Sequence, residues 1–278
     1  MRKLEWFNDI GADLFYNKTP QDQTKSQHIQ DSSAAYSSVL KSAEELNKES
    51  NSMQEYEKAQ QKIVNKVLEV GTISENRITS ESRRIADKVS NIDELYDAIK
   101  KFEGCDLKRA AKNTVLGDGT ISDILLVGEA PGAQEDLYGI PFCGQSGKLL
   151  DNILKSIGLS RRKNCYITNT VFWRPPGNRR PTPEEIAICR PFVERHIAFI
   201  NPKLIILVGS TAVESLLNLK QSMKSLKSQY FDYTNCYLEK NIKTALILHP
   251  SYLLRQPSEK KAMWFDVLKI KNELISKI

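Results

Sequence analysis

From about residue 99 onward the sequence predicts an α/β fold, a four-stranded parallel sheet covered by helices on both faces. Two observations predict it. Four short apolar runs, ISDILLVG from 121, NCYITNTV from 164, PKLIILVG from 202 and IKTALILH from 242, read as strands buried on both sides. Between them lie SGKLLDNILKSIGL, TPEEIAICRPFVERHIAFI and STAVESLLNL, each an amphipathic helix by its apolar spacing. Thr182, with Glu185 three residues on, marks the N-cap of the second helix. Strands alternating with helices in this way build parallel sheets, whose ligands bind at the carboxyl ends of the strands.

The chain before this domain has a different texture. Leu4, Phe7, Ile10 and Leu14 recur at helical spacing, which predicts a short helix over 1–16. Residues 17–35 are almost devoid of apolar side chains and include Pro20, the pattern of a flexible linker. Val39, Leu40, Ala43 and Leu46, then Tyr56, Ile63, Val67 and Leu68, predict a helical extension over 36–98, with a further helix from Ile92 to Phe102. It carries no catalytic constellation, and a structural or partner-binding role is the reading its residues support. The 278 residues are thus expected to divide into a helical appendage and one α/β domain.

Charge is distributed unevenly. The formal +6 arises from residues 101–278, with 26 Lys and Arg against 17 Asp and Glu, since residues 1–100 hold 14 against 17. A basic surplus attracts polyanions. No apolar run approaches a membrane span, and Asp9 and Asp13 interrupt the N-terminal segment where a signal peptide would be apolar. A soluble, unprocessed, cytoplasmic protein is therefore expected, and its five irregularly spaced cysteines are expected to be thiols or metal ligands, not disulfides.

Each strand leads into a loop with chemical content. The first ends in GEAPGAQED, where Gly128 and Gly132 allow a tight turn and Pro131 stiffens it, delivering Glu129 to the rim of the sheet. Glu135 and Asp136 are two further carboxylates in that loop. Next, YGIPFCGQSGKLLD sets Phe142 just ahead of a helix N-terminus, where an aromatic ring can stack on a base. The second strand ends in Asn169, whose amide can accept from one position of a base edge and donate to the next, a pattern that suits uracil and rejects cytosine. The fourth ends in HPSYLLR, with His249 at the rim and Leu253 expected in reach of solvent.

GEAPG from 128, GIPFCGQSGKLLD from 139, ITN with RPPGNRRPTPEEIAIC from 167, and HPSYLLR from 249 together resemble the motifs of the type-4 uracil-DNA glycosylases, in the family's order, over roughly residues 100–270. The resemblance implies a three-layer α/β/α sandwich and a DNA-repair hydrolase that flips uracil out of DNA and cleaves its N-glycosidic bond, leaving an abasic site. By it, Glu129 and His249 are catalytic, while Gly128, Ala130, Gly132, Phe142 and Asn169 bind the base. Ser146, Arg179, Ser251 and Arg255 grip DNA, and Leu253 wedges into the vacated space. Glu135 and Asp136 are alternatives to Glu129 for handling the water.

One departure concerns a cofactor. The family usually holds a four-iron, four-sulfur cluster on four cysteines; here Cys105 and Cys189 match two of them, and Phe102 and Trp173 stand at the others. Two thiolates cannot hold such a cluster. No cofactor is therefore expected, the alternative being the family's cluster; Cys143, Cys165 and Cys236 lie in the wrong motifs to replace the missing ligands. A rival reading is a non-catalytic or covalently trapping uracil-DNA binder. Related proteins of that kind carry a His in the loop after the Asn169 strand, and PPGNRRP has none. Uracil-containing DNA is the expected partner, with a protein partner for the N-terminal helices as a further possibility.

Overall fold

The computed structural model describes residues 77–278; the helix expected at 1–16, the linker at 17–35 and the part of the extension before 77 lie outside the described residues. In chain order the elements are a helix at 77–88 (α1), α2 (Ile92–Lys101), the single turn α3 (Leu107–Ala110), β1 (Gly117–Gly119), β2 (Ile124–Gly128), α4 (Ala133–Tyr138) and α5 (Gln145–Ser156). Then follow β3 (Tyr166–Asn169), α6 (Pro183–Ile200), β4 (Leu204–Val208), α7 (Ser210–Leu217), β5 (Phe231–Tyr233), β6 (Ile242–Ile247), α8 (Pro250–Arg255) and α9 (Glu259–Glu273).

The four strands expected from the sequence form the centre of the sheet in the order β3, β2, β4, β6, all parallel. Two short edge strands extend it to six: β1 lies antiparallel on β3, and β5 antiparallel on β6. Neither is visible as a pattern, because GDG has no apolar side chain and FDY is too short for an alternation to register.

The central strands are apolar throughout because both faces are covered. Successive side chains point to opposite faces. Leu125, Val127, Ile205 and Leu207 join one core with Leu95, Phe192 and Ala212, from α2, α6 and α7. Ile124, Leu126, Ile206 and Val208 join the other with Leu150, Leu253 and Val267, from α5, α8 and α9. The result is the three-layer sandwich. Each fully buried aliphatic side chain contributes about 1.5–3 kcal/mol, so a one-residue slip of any central strand would exchange the two faces of that strand at once.

Residues 77–98 correct the expected domain boundary. Ala86, Val89 and Leu95 belong to the same core as the sheet, and the described residues fall in one compact unit, so the division expected at 98/99 lies inside that unit. The cap of α6 forms as read: Thr182 Oγ1 accepts from the Glu185 amide at 3.2 Å, and Glu185 returns a bond to the Thr182 amide at 2.8 Å. Among the described residues, no helix is long and apolar enough to cross a membrane.

Candidate active site

β2 pairs with β3 on one side and β4 on the other, so the chain leaves β2 first one way and then the other. A crevice opens at such a reversal, above the carboxyl ends of the strands. There the structure has a cleft of about 740 Å³, lined by Glu129, Ala130, Gly132, Phe142, Ser146, Arg179, His249, Ser251 and Arg255 among others. Nine of the residues picked from sequence thus share one cavity, although they come from four separate loops.

Gly128 and Asn169 do not themselves line the cleft; they form a floor behind Phe142 of its wall. A Cβ on Gly128 would sit 2.5 Å from Asn169 Oδ1 and 2.5 Å from the Phe142 ring, so amide and ring close over a position that only glycine can occupy. Asn169 is 1 % exposed, and neither its Nδ2 nor its Oδ1 has a partner. Buried amides are almost always hydrogen-bonded, to protein, water or ligand. Phe142 is itself unusual, with φ of 51° in the left-handed region that residues with a Cβ avoid. Its ring centroid lies 5.6 Å from that of His249, with the planes 33° apart. Gly128→Ala should therefore lower kcat/KM by roughly 100-fold through displacement of both groups, while circular dichroism shows the fold retained; an active alanine variant would mean that the floor is not used.

His249 caps α8. Its Nδ1 accepts from the Ser251 amide at 3.1 Å and lies 2.8 Å from the Ser251 hydroxyl. An amide can only donate, so Nδ1 holds the lone pair, and the proton of the neutral ring sits on Nε2. Burial lowers the His249 pKa from its ordinary 6.5, with Arg255 acting in the same direction and Glu129 and Glu135 opposing it. The site thus holds a neutral imidazole with a free N–H. The other described histidine, His196, is fully buried in the core beside Tyr96, and burial depresses it to about 3.

The three carboxylates of the GEAPGAQED loop separate clearly. Glu129 Oε2 accepts from the Thr211 hydroxyl at 2.5 Å, and its backbone carbonyl accepts from the Thr170 hydroxyl at 2.6 Å, which fixes it at the cleft wall. Glu135 also reaches the cleft, but its oxygens accept from the amides of Gly132, Cys143 and Gly144 and thereby tie two loops together. Asp136 does not belong to the site. It is 3 % exposed and accepts from the Lys112 and Asn113 amides, because its place on α4 turns it away from the cleft.

Leu253 requires a second correction. It is 1 % exposed and packs in the core between α5 and α9, whereas Leu254 is 41 % exposed. The helical turn of α8 sends successive residues about 100° apart, so the solvent-facing leucine is the second of the pair. Arg179 lines the cleft while its guanidinium spans both oxygens of Glu185, at 2.9 and 2.6 Å. Sequence reading also missed the loop after β4, whose Gly209 and Ser210 line the cleft and whose Thr211 orients Glu129, along with Ser222, Met223 and Lys224 beyond α7. The Gly-Ser-Thr at the end of a strand was the available signal.

Cys105 and Cys189 are buried thiols in the core that also contains Phe102 and Trp173. A hydrogen bond between the sulfurs lowers the pKa of Cys105 and raises that of Cys189. Phe102 packs edge-on against Phe192 at 5.1 Å, and Trp173 Nε1 donates to Thr114 Oγ1 at 3.0 Å. The two thiols and the two rings share one buried apolar core, and a donor set of two thiolates does not fit a four-thiolate cluster. Cys165 lies in the opposite core, Cys143 in the Phe142 turn, and Cys236 is exposed beside Arg83. Among the described residues, no group of three or more His, Cys, Asp or Glu is placed to hold a metal ion.

The chain is similar to proteins of one known superfamily. Residues 116–269 match the model of the uracil DNA glycosylase superfamily. The type-4 uracil-DNA glycosylase of Archaeoglobus fulgidus is 37 % identical over 187 residues, covering 66 % of this chain and 92 % of that protein. That of Thermotoga maritima is 39 % identical over 166 residues, 59 % of this chain and 83 % of the relative. The enzyme of the same name from Saccharolobus solfataricus is 37 % identical over 195 residues, 68 % and 89 % of the two chains. With a superfamily match over more than half of the chain and three type-4 uracil-DNA glycosylases matched over most of their own length, this chain belongs to the uracil DNA glycosylase superfamily.

Proposed function

We propose that this protein is a DNA-repair glycosylase that binds uracil extruded from DNA and hydrolyses its N-glycosidic bond. The observation that carries the reading is the Asn169 amide, buried with both polar atoms unpaired beside an aromatic ring. A group left unsatisfied in this way is explained by a ligand that completes it. Uracil presents N3–H and O4 on adjacent edge positions, and one amide matches both. Cytosine reverses both roles and is refused.

Catalysis then follows from charge. Extrusion costs a few kcal/mol of stacking and pairing, which contacts of Phe142 with the base and of Ser146, Arg179, Ser251 and Arg255 with phosphates offset. As the bond to the sugar stretches, negative charge gathers on uracil and positive charge on the sugar. His249, neutral with Nε2–H free, donates to uracil O2 as that charge develops. Glu129, held by Thr211, balances the sugar cation and orients the attacking water. Its carboxylate suits the task better than Glu135, whose lone pairs serve three amides. Leu254, exposed next to Arg255 of the cleft wall, takes the wedge role expected of Leu253. Leu254→Ala should lower excision from duplex DNA by roughly tenfold and hardly affect single strands, where no vacated stack needs filling; equal losses on both substrates count against the assignment.

The deciding experiment is incubation of purified protein with a uracil-containing oligonucleotide, followed by alkali to reveal abasic sites, with cytosine and thymine oligonucleotides as controls. Many turnovers on uracil alone are expected. A single stoichiometric equivalent would identify a trapping protein, and no product on any strand would defeat the reading. We also propose that the protein works without a four-iron cluster. Purified protein should carry less than about one iron per chain and lack visible absorption, since two thiolates leave half the ligand set missing; a brown, iron-loaded protein would overturn this.

A further inference from the structure

Arg161 lies in the turn between α5 and β3 and is the only arginine buried among the described residues, at 6 % exposure. Its Nε donates to Asp151 at 2.9 Å and its Nη1 to Asp118 at 3.1 Å, so two carboxylates compensate the charge. What remains of the guanidinium goes to one place. Nη1 also donates to the Pro141 carbonyl at 2.8 Å, and Nη2 to the Phe142 carbonyl at 3.0 Å. A planar fork is suited to spanning two adjacent acceptors in this way.

Phe142 is the residue with φ of 51°. A non-glycine residue keeps that conformation only where its surroundings impose it. Arg161 holds the Phe142 carbonyl from one side, and on the other the backbone of α5 closes at Gly147, where any Cβ would run into that same carbonyl. Asp118, which anchors the guanidinium, lies on edge strand β1 opposite Ile167, two residues before Asn169. The arginine thus connects the frame that carries the amide to the turn that carries the ring.

We propose that Arg161 is a positioning residue for base excision: it fixes Phe142 in its left-handed conformation and so sets the stacking plate before DNA arrives. This rests on the reading of Phe142 as the plate. A merely structural arginine would affect stability and leave the ring's contribution unchanged, and the two are separable.

The test is a double-mutant cycle in the full chain, with kcat and KM measured on a uracil-containing oligonucleotide and melting temperatures recorded for each variant. Arg161→Met leaves Asp118 a partner in Arg162, 3.1 Å away. It is expected to lower kcat/KM by roughly 100-fold. In a Phe142→Ala background the same change is expected to cost no more than about threefold, because no plate remains to be misplaced. If Arg161→Met does not fold, Arg161→Lys, which keeps the charge but cannot span both carbonyls, takes its place under the same criterion. Equal losses in the two backgrounds, or an Arg161 variant of full activity, overturn the proposal. Should Phe142→Ala alone be as active as the unmodified chain, the stacking role of Phe142 falls first and this proposal with it.

Discussion

Replacing Asn169 with leucine should lower kcat/KM for uracil excision by on the order of 10³-fold while leaving the melting temperature unchanged or raised. The two effects have one cause. Both polar atoms of the side chain are buried without partners, so in the absence of ligand the amide carries a desolvation cost of about 1–3 kcal/mol. Leucine has the same γ-branched shape with four side-chain heavy atoms and no polar atom, and it removes that cost. On the proposed reading it equally removes the amide that matches uracil's edge, so binding of the extruded base loses both hydrogen bonds together. An ordinary core asparagine, bonded within the fold, would give the opposite pattern: a drop in stability and little specific loss of activity. Thermal melting beside steady-state kinetics decides between them, and a leucine variant within tenfold of wild-type activity would show that another group reads the base.

His249→Ala should cost roughly 10²–10³-fold in kcat, the usual loss when one preorganised donor to a developing anion is removed. The pH dependence identifies the donor. Burial lowers the His249 pKa from its ordinary 6.5, so the neutral form is the one present above the lowered value. Protonation would place a hydrogen on Nδ1 and break the bond from the Ser251 amide. Activity is therefore expected to stay level as pH falls from neutrality through 6.5, and to decline only at lower pH, where the ring takes its second proton. In His249→Ala the residual activity should lack that acid limb. If activity instead rises as the solution is acidified past 6.5, an imidazolium is the working form and the tautomer inferred from the cap is wrong.

These expectations differ in how far the sequence alone supports them. The four central strands and the helices between them were legible because burial on both faces leaves continuous apolar runs, and because the helices keep their own period. The loops after β2, β3 and β6 and the Phe142 turn were legible because glycine, proline and isolated polar residues have few structural uses that recur in four motifs in order. Edge strands β1 and β5 were not, since pairing there is set by a neighbour and not by their own residues. Arg161 was equally hidden. An arginine followed by two more basic residues reads as surface, and only its folded surroundings supply Asp118, Asp151 and the two carbonyls.

What the sequence determined by itself was the parallel sheet, the family, and most of the groups proposed to meet uracil, because composition and local spacing encode periodicity and the chemistry of single side chains. Tertiary structure alone decided which neighbours those groups have. It turned Leu253 inward and Leu254 outward, turned Asp136 away from the cleft, gave Glu129 and Glu135 different partners, and left Asn169 without one. The physical reason is that burial and hydrogen-bond satisfaction depend on which segments distant in the chain close on one another, and no local pattern carries that information.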